Sequence, residues 1–275
     1  MIVSRTPLRV SLLGGGSDYA QHFMEYGGQV LGGAINHYVY VCMHNHNITH
    51  FFDLPNKSGL ASSSAYTVGL MRICSDMDNV TIGKLATLIE LEKTNNQVGY
   101  QDQYLCAVGG FHQLKFSEHG IRDILICEDE CSGLQEHLML FDTHQYRKNG
   151  SVIPKQLERV KDNTEALNKM AGMVDEGVGM LKTQDFIAFG QLLDESWKLK
   201  KSLAESVSTP QVNDIYTRAI EAGAVGGKLL GAGGGGFIVF VVAPEKQEGV
   251  KKALSGLTHV SFKFESEGSK VIYRD

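Results

Sequence analysis

Leu8-Arg9-Val10-Ser11-Leu12-Leu13-Gly14-Gly15-Gly16-Ser17-Asp18-Tyr19 reads as a strand that runs into a glycine turn. Two further clusters of small residues follow. The second is Gly59-Leu60-Ala61-Ser62-Ser63-Ser64-Ala65. The third runs from Gly226-Gly227-Lys228-Leu229-Leu230-Gly231-Ala232 through Gly233-Gly234-Gly235-Gly236. It passes directly into Phe237-Ile238-Val239-Phe240-Val241-Val242, a buried strand. Glycines let backbone amides converge on an anion where side chains would block the approach. Three such runs, near the start, first quarter and end of the chain, predict one composite site suited to a polyphosphate. None is a Gly-x-x-x-x-Gly-Lys-[Ser/Thr] loop, and Gly14-Gly15-Gly16 lacks dinucleotide-fingerprint spacing.

Outward from these clusters the pattern is mixed. Val30 to Met43 reads as a strand, β-rich at Tyr38-Val39-Tyr40-Val41. A helix is predicted after the serine cluster, which would supply its caps. Thr81 to Asn95 has clear helical periodicity, and Leu138 to Phe141 reads as a buried strand. A polar helical region spans about Pro154 to Ser206, divided near Gly177 and Gly179. Pro210 opens a helix over Val212 to Ala222, and another covers Glu245 to Gly256. Val260 to Phe264 and Lys270 to Tyr273 close the chain as strands. Helices and mostly antiparallel strands without a βαβ repeat predict an α+β fold. A lobe boundary near 130–150 divides it into residues 1–135 and 136–275.

At 275 residues, 43% apolar and 21% charged, the chain is an ordinary globular protein. A net charge of -5 argues against a broad nucleic-acid-binding face. No apolar run reaches the ~18 residues of a membrane span. Five cysteines form no disulfide framework, which predicts a reducing cytoplasm.

The candidate chemistry sits around the clusters. Ser62, Ser63 and Ser64 begin a helix, where unpaired amides favour phosphate oxygens and a hydroxyl can ligate Mg²⁺. Glu92 and Asp102 are the candidate carboxylates. One would complete a metal site near Ser63; the other would orient or deprotonate an acceptor hydroxyl. Arg9, inside an apolar strand, needs an anionic partner such as Asp102 or a transferred phosphoryl group. Asp18 either accepts hydrogen bonds from sugar hydroxyls or makes a local turn. Gly15, Gly16, Ser17, Gly233 and Gly234 are the backbone candidates for substrate. Arg5, Arg147 and Lys228 are basic candidates for a substrate phosphate, against ordinary surface placement. His44, His46 and His50 cluster locally, with His44 and His46 on one strand face, but lack partners for a zinc site.

These residues resemble the GHMP kinase superfamily over nearly the whole chain. The motifs are Thr6-Pro7-Leu8-Arg9 through Gly14-Gly15-Gly16-Ser17-Asp18, the serine cluster, and Lys228 to Gly236. With Gln101-Asp102-Gln103-Tyr104, they are most similar to the D-glycero-D-manno-heptose 7-phosphate kinase subgroup. The resemblance implies a two-lobed α+β kinase with a ribosomal-protein-S5-like N-terminal lobe. It implies ATP and Mg²⁺ as cofactors, and γ-phosphoryl transfer to the C1 hydroxyl of a heptose 7-phosphate. Residues Gly59, Leu60, Ala61, Ser62, Ser63 and Ser64 would form the nucleotide loop, with Ser63 and Glu92 at the metal. Asp102 would face the acceptor hydroxyl, paired with Arg9, and Asp18 would bind sugar. A homodimer is a possible assembly; nucleic acid and membrane are not expected partners.

One departure stands out. Family members carry several tens of residues between the strand matching Val39–Met43 and the serine loop, where this chain has about fifteen, Asn45 to Gly59. Either the segment is deleted or it is absent from the given sequence. A deletion removes much of the adenine pocket, which leaves open a sugar-phosphate-binding protein with weak catalysis. Ala61 also replaces the more usual glycine, a minor change if its φ stays negative.

Overall fold

The computed structural model describes residues 1–94, 98–146 and 158–275. Strand β1 (Ile2–Leu13) is the spine. Its neighbours are β2 (Gly28–His44) on one side and the last strand, β10 (Lys270–Arg274), on the other. The sheet continues through β4 (Phe111–Ser117) to β5 (Gly120–Leu125), and every pairing is antiparallel. A second antiparallel sheet has the order β7-β8-β6-β9, from β6 (Leu138–Asp142), β7 (Ala224–Leu229), β8 (Phe237–Val242) and β9 (Thr258–Val260).

The expected α+β class is observed. Three helices, α2 (Ser62–Cys74), α3 (Asn79–Thr94) and α4 (Gln101–Val108), pack together beside β1 and β2. The short α1 (Ala20–Tyr26) follows the glycine turn, and α5 (Glu128–His137) precedes β6. Helices α6 (Thr164–Lys182) and α7 (Phe186–Ser202) join the sheets: α6 packs on β1 and β2, α7 on β7 and β8. Helices α8 (Pro210–Glu221) and α9 (Gln247–Ala253) complete the second half. No described helix is long and apolar enough to cross a membrane.

Period-2 alternation makes β1 two-faced. Leu8, Val10 and Leu12 join the main apolar core, leaving Arg9 and Ser11 on the opposite face. Pro7 has no N–H for the ladder, and the β1–β2 register shifts between Pro7 and Leu8. The main core is shared: Leu8 of β1, Val174 of α6, Phe189 of α7 and Val239 of β8 belong to one cluster.

Several boundaries differ from expectation. A cut at 135/136 fails for the C-terminus, because β10 returns to pair with β1 and belongs to the first sheet. Helix α6 is continuous through Gly177 and Gly179, and the break falls at Thr183–Asp185, where Gln184 has φ 56°. Gly177 is a packing residue: a Cβ there would lie 2.5 Å from Leu13. Strand character at 260–264 shrinks to the end of β9 and an isolated bridge from Phe264 to Ile35.

The shortened connection is a formed structure. β2 turns at Asn45 and His46, with φ 47° and 63°, into β3 (Asn47–Phe52), which pairs back along β2. Positive φ at both turn residues is the two-residue hairpin geometry whose twist matches the strands. His46 therefore leaves the strand and shares no face with His44. The chain then runs on to the serine cluster, anchored where Phe237 N donates to Ser58 O at 2.9 Å.

Gly226 separates packing glycines from site glycines. A Cβ on it would stand 2.0 Å from Gly190 O, backbone of α7. Gly226→Ala should lower stability by at least about 2 kcal/mol in denaturant unfolding, since neither backbone can yield cheaply.

Candidate functional site

A cleft of about 330 Å³ opens where the three glycine and serine clusters meet. β1 supplies Arg9 and Ser11, and the following turn supplies Gly15, Gly16 and Asp18. The segment from Lys57 to Ser64 forms the facing wall. Gln101 and Asp102 come from the first turn of α4, Lys200 from α7, Lys228 from β7, and Gly231 and Ala232 from the third cluster.

The glycine turn is held by its own residues. Ser17 Oγ donates to Gly14 O at 2.9 Å and Gln29 O at 2.9 Å, and accepts from Gln29 N at 3.0 Å. Ser17 is thus buried scaffolding outside the cleft lining, not a substrate contact. Asp18 Oδ1 accepts from Gly16 N at 2.9 Å and Oδ2 from Gln101 N at 3.3 Å. Its turn-making and cleft-lining roles coexist.

Arg9 is 3% exposed and clamps two parts of the chain. Its Nε and Nη2 donate to Asp102 Oδ1 at 2.9 and 2.8 Å, and Nη1 donates to Gly59 O at 2.7 Å. Burial pushes the Asp102 carboxyl above its ordinary value, while the Arg9 charge pulls it down and Asp18 adds to the rise. Burial likewise pushes the neighbouring Cys106 thiol up, which keeps it protonated.

The serine loop differs from expectation at its cap. Ala61 sits at the N-cap of α2 with φ 61°, and no side chain caps the helix. The expected negative φ is absent, so the alanine carries left-handed strain. Ser62 Oγ donates to Asn56 Oδ1 at 2.7 Å and accepts from Lys57 N at 2.9 Å. Ser63 is exposed at the helix head, and Leu60 is core. Ser64 Oγ donates to Glu90 Oε2 at 2.9 Å, which also accepts from Gln103 Nε2 at 2.5 Å.

Glu90 replaces Glu92 as the acid behind this loop. Glu92 is exposed on α3 and outside the cleft lining. Glu90 follows buried Ala86 and Thr87 by four and three residues, so it shares their face, and Glu92 does not. That period was readable in the sequence.

Lys200 is the main omission of the sequence reading. It is buried, and its Nζ donates to Gly15 O at 2.8 Å. Burial pushes it down to about 8, against the pull of Asp18 and Asp102. Its signal was periodicity: Leu193, Ser196, Trp197 and Lys200 form the buried stripe of α7. Lys228 Nζ donates to Ser11 O at 2.9 Å. Burial first, then Lys200 and Arg9, push it well below the ordinary lysine value.

Other expected contacts are not brought together. Arg5 lies far along β1, donating to Glu267 at 3.1 Å and stacked over Tyr38, outside the cleft lining. Gly233 and Gly234 pack on Val207, whose carbonyl accepts from Gly234 N at 2.9 Å; they do not line the cleft. Arg147 lies outside the described residues. Four cations, Arg9, Lys57, Lys200 and Lys228, thus line, with two carboxylates, Asp18 and Asp102, a mostly buried cleft headed by the start of α2. That surplus of positive charge and free amides suits an anion.

Comparison with known proteins gives the same picture. Residues 25–110 match the family model GHMP kinases N terminal domain, and residues 179–257 match GHMP kinases C terminal. The chain is 28% identical to the D-glycero-alpha-D-manno-heptose 7-phosphate kinase of Campylobacter jejuni, covering 98% of each protein. That alignment spans 334 positions, more than the 275 residues here, so it carries gaps. A mevalonate kinase of Thermococcus onnurineus is 28% identical over 79% of this chain and 66% of its own length. A crystal structure of a D-glycero-D-manno-heptose 1-phosphate kinase from Bacteriodes thetaiotaomicron superposes with TM-score 0.79 at 24% identity, covering both chains in full. A putative sugar kinase structure from Campylobacter jejuni gives 0.71 at 26% identity, covering 98% of this chain and 97% of that one.

The Glu90 assignment has a stability consequence. Glu90→Ala would leave the Ser64 hydroxyl and the Gln103 amide without this carboxylate in the interior. A loss of about 2–4 kcal/mol in thermal or denaturant unfolding is expected. Glu92→Ala on the exposed face should stay within about 0.5 kcal/mol.

Proposed function

We propose the acceptor, the metal and the chemical step of a chain that belongs to the GHMP kinase family and acts as an ATP-dependent sugar kinase. The acceptor is a heptose 7-phosphate, and the γ-phosphoryl group goes to its C1 hydroxyl. The observation that carries this reading is the Arg9–Asp102 pair, set between the head of α2 and Asp18. The near full-length similarity to a heptose 7-phosphate kinase supports the choice of sugar.

The triphosphate lies against the amides at the head of α2, with Lys57 beside it. Oxygen donors of the kind Mg²⁺ prefers are present there: the Ser63 hydroxyl, with the Glu90 carboxylate behind it through Ser64. Ser63 would hold the ion, with Glu90 fixing the loop behind it through Ser64, and the ion would offset charge on the triphosphate. Arg9 faces the same space. It offsets negative charge on the phosphoryl group in flight and holds Asp102 in place.

Asp102 orients the C1 hydroxyl and receives its proton. Its upward shift by burial favours proton acceptance, and the Arg9 charge opposes that rise. Asp18 holds sugar hydroxyls, and Lys228 is the proposed contact for substrate phosphate. Arg5, engaged with Glu267, is not such a contact.

A panel of sugars and sugar phosphates with ATP and Mg²⁺ tests the acceptor. Heptose 7-phosphate should give the highest kcat/KM. Better turnover of galactose, fucose or mevalonate would overturn the heptose assignment and leave the kinase class standing. Asp102→Asn keeps shape and loses charge, so kcat should fall on the order of 10²–10⁴-fold with little change in KM. Near-normal kcat under rate-limiting phosphoryl transfer would remove Asp102 from the chemistry.

A further inference from the structure

Two buried polar atoms in the cleft have no hydrogen-bond partner among the described residues: Ser11 Oγ and Gln101 Oε1. Both residues line the cleft, 3% and 6% exposed. A buried polar group without a partner is costly, so such atoms point to where a ligand completes the structure. They converge on one place. A Cβ on Gly15 would lie 3.3 Å from Ser11 Oγ and 3.5 Å from Gln101 Nε2. The carbonyl of the same Gly15 accepts from Lys200 Nζ, which is 4% exposed and also lines the cleft.

We propose that Ser11, Gln101 and Lys200 form, with Asp18, a subsite for adjacent sugar hydroxyls, which fixes the acceptor beside Asp102. This rests on the sugar-kinase reading and names the groups that select its acceptor. The donor and acceptor types decide between hydroxyls and a phosphate. Ammonium donates, carboxylate and amide oxygen accept, and a serine hydroxyl does both. Hydroxyls also do both, so they satisfy the whole set. A phosphate accepts only, and here it would face Asp18 and the amide oxygen. The substrate phosphate therefore lies elsewhere in the cleft.

Lys200 also gives the subsite a pH dependence. The charged groups facing it are Asp18 on the glycine turn, Arg9 on β1, Asp102 on α4 and Lys228 on β7. Its folded-state value, pushed down to about 8, means the ammonium is present below that pH and lost above it. Acceptor affinity should therefore fall as pH rises through 8.

The test measures KM for heptose 7-phosphate and for ATP in Ser11→Ala, Gln101→Leu and Lys200→Met, with melting temperatures to confirm folding. Acceptor KM should rise on the order of 10–100-fold, and ATP KM should stay within about 2-fold. The Lys200→Arg variant remains charged, so it should restore acceptor binding and flatten the rise in KM between pH 7 and 9. A merely structural lysine would move both KM values together and give no such flattening. Unchanged acceptor KM in all three folded variants would overturn the subsite, as would equal rises for ATP. If another sugar in the panel is the better acceptor, the same variants are measured with it. A selective rise there supports the subsite while the heptose assignment fails.

Discussion

The rest of the site depends on one buried charge. Burying the Arg9 guanidinium without compensation would cost several kcal/mol. The period of β1 turns it away from the core that Leu8 and Val10 enter, and toward the cleft. Its compensation comes from two distant segments: the carboxylate of Asp102 on α4 and the carbonyl of Gly59 before α2. A single side chain thus fixes the relative position of the nucleotide loop and the proposed base. The loop is tied from the other side as well, where Gly59 packs on Leu230 and Gly231. Breaking any of these contacts would misplace both reacting ends together.

Around that pair the cleft carries more positive than negative groups, and burial together with the mutual repulsion disfavours the charged forms of its lysines. Lys200 and Lys228 each donate to a backbone carbonyl, of Gly15 and Ser11, and each is held below its ordinary value. Lysine suits such positions because, unlike arginine, it can surrender its proton when no anion is near. A ligand that brings hydrogen-bond acceptors or negative charge near them favours their charged forms.

Much of this was legible in the sequence, and the rest was not for identifiable reasons. Arg9 in an apolar strand announced a buried partner, and Asp102 is that partner. The glycine and serine clusters do meet at one cleft. Yet Gly226, Gly233 and Ser17 proved to be packing and turn residues, because a glycine or serine needed for close approach looks the same as one needed for a ligand. The sequence reading names Glu92, whereas the spacing from Ala86 and Thr87 puts Glu90 on the buried face. Lys200 was hidden by its charged neighbours Lys198 and Lys201, which make the helix look solvated unless its buried stripe is traced. The return of β10 to β1 could not be read locally, since antiparallel pairing across the whole chain leaves no short-range mark.

The two ends of the cleft differ in burial, and that difference governs where selectivity can reside. At about 330 Å³ the cleft is at the small end of ligand pockets, with room for a sugar and part of a phosphate chain. Its enclosed end, at Gly15, Asp18, Gln101 and Lys200, is rich in buried polar groups. Its other end, at Lys57 and Ser63, is exposed, and β3 beside it is largely solvent-facing. Discrimination by hydrogen bonding is strongest where a mismatched ligand leaves buried groups unpaired, and weak where water can substitute. Hydrogen-bond discrimination among ligands is therefore strongest at the end formed by Gly15, Asp18, Gln101 and Lys200.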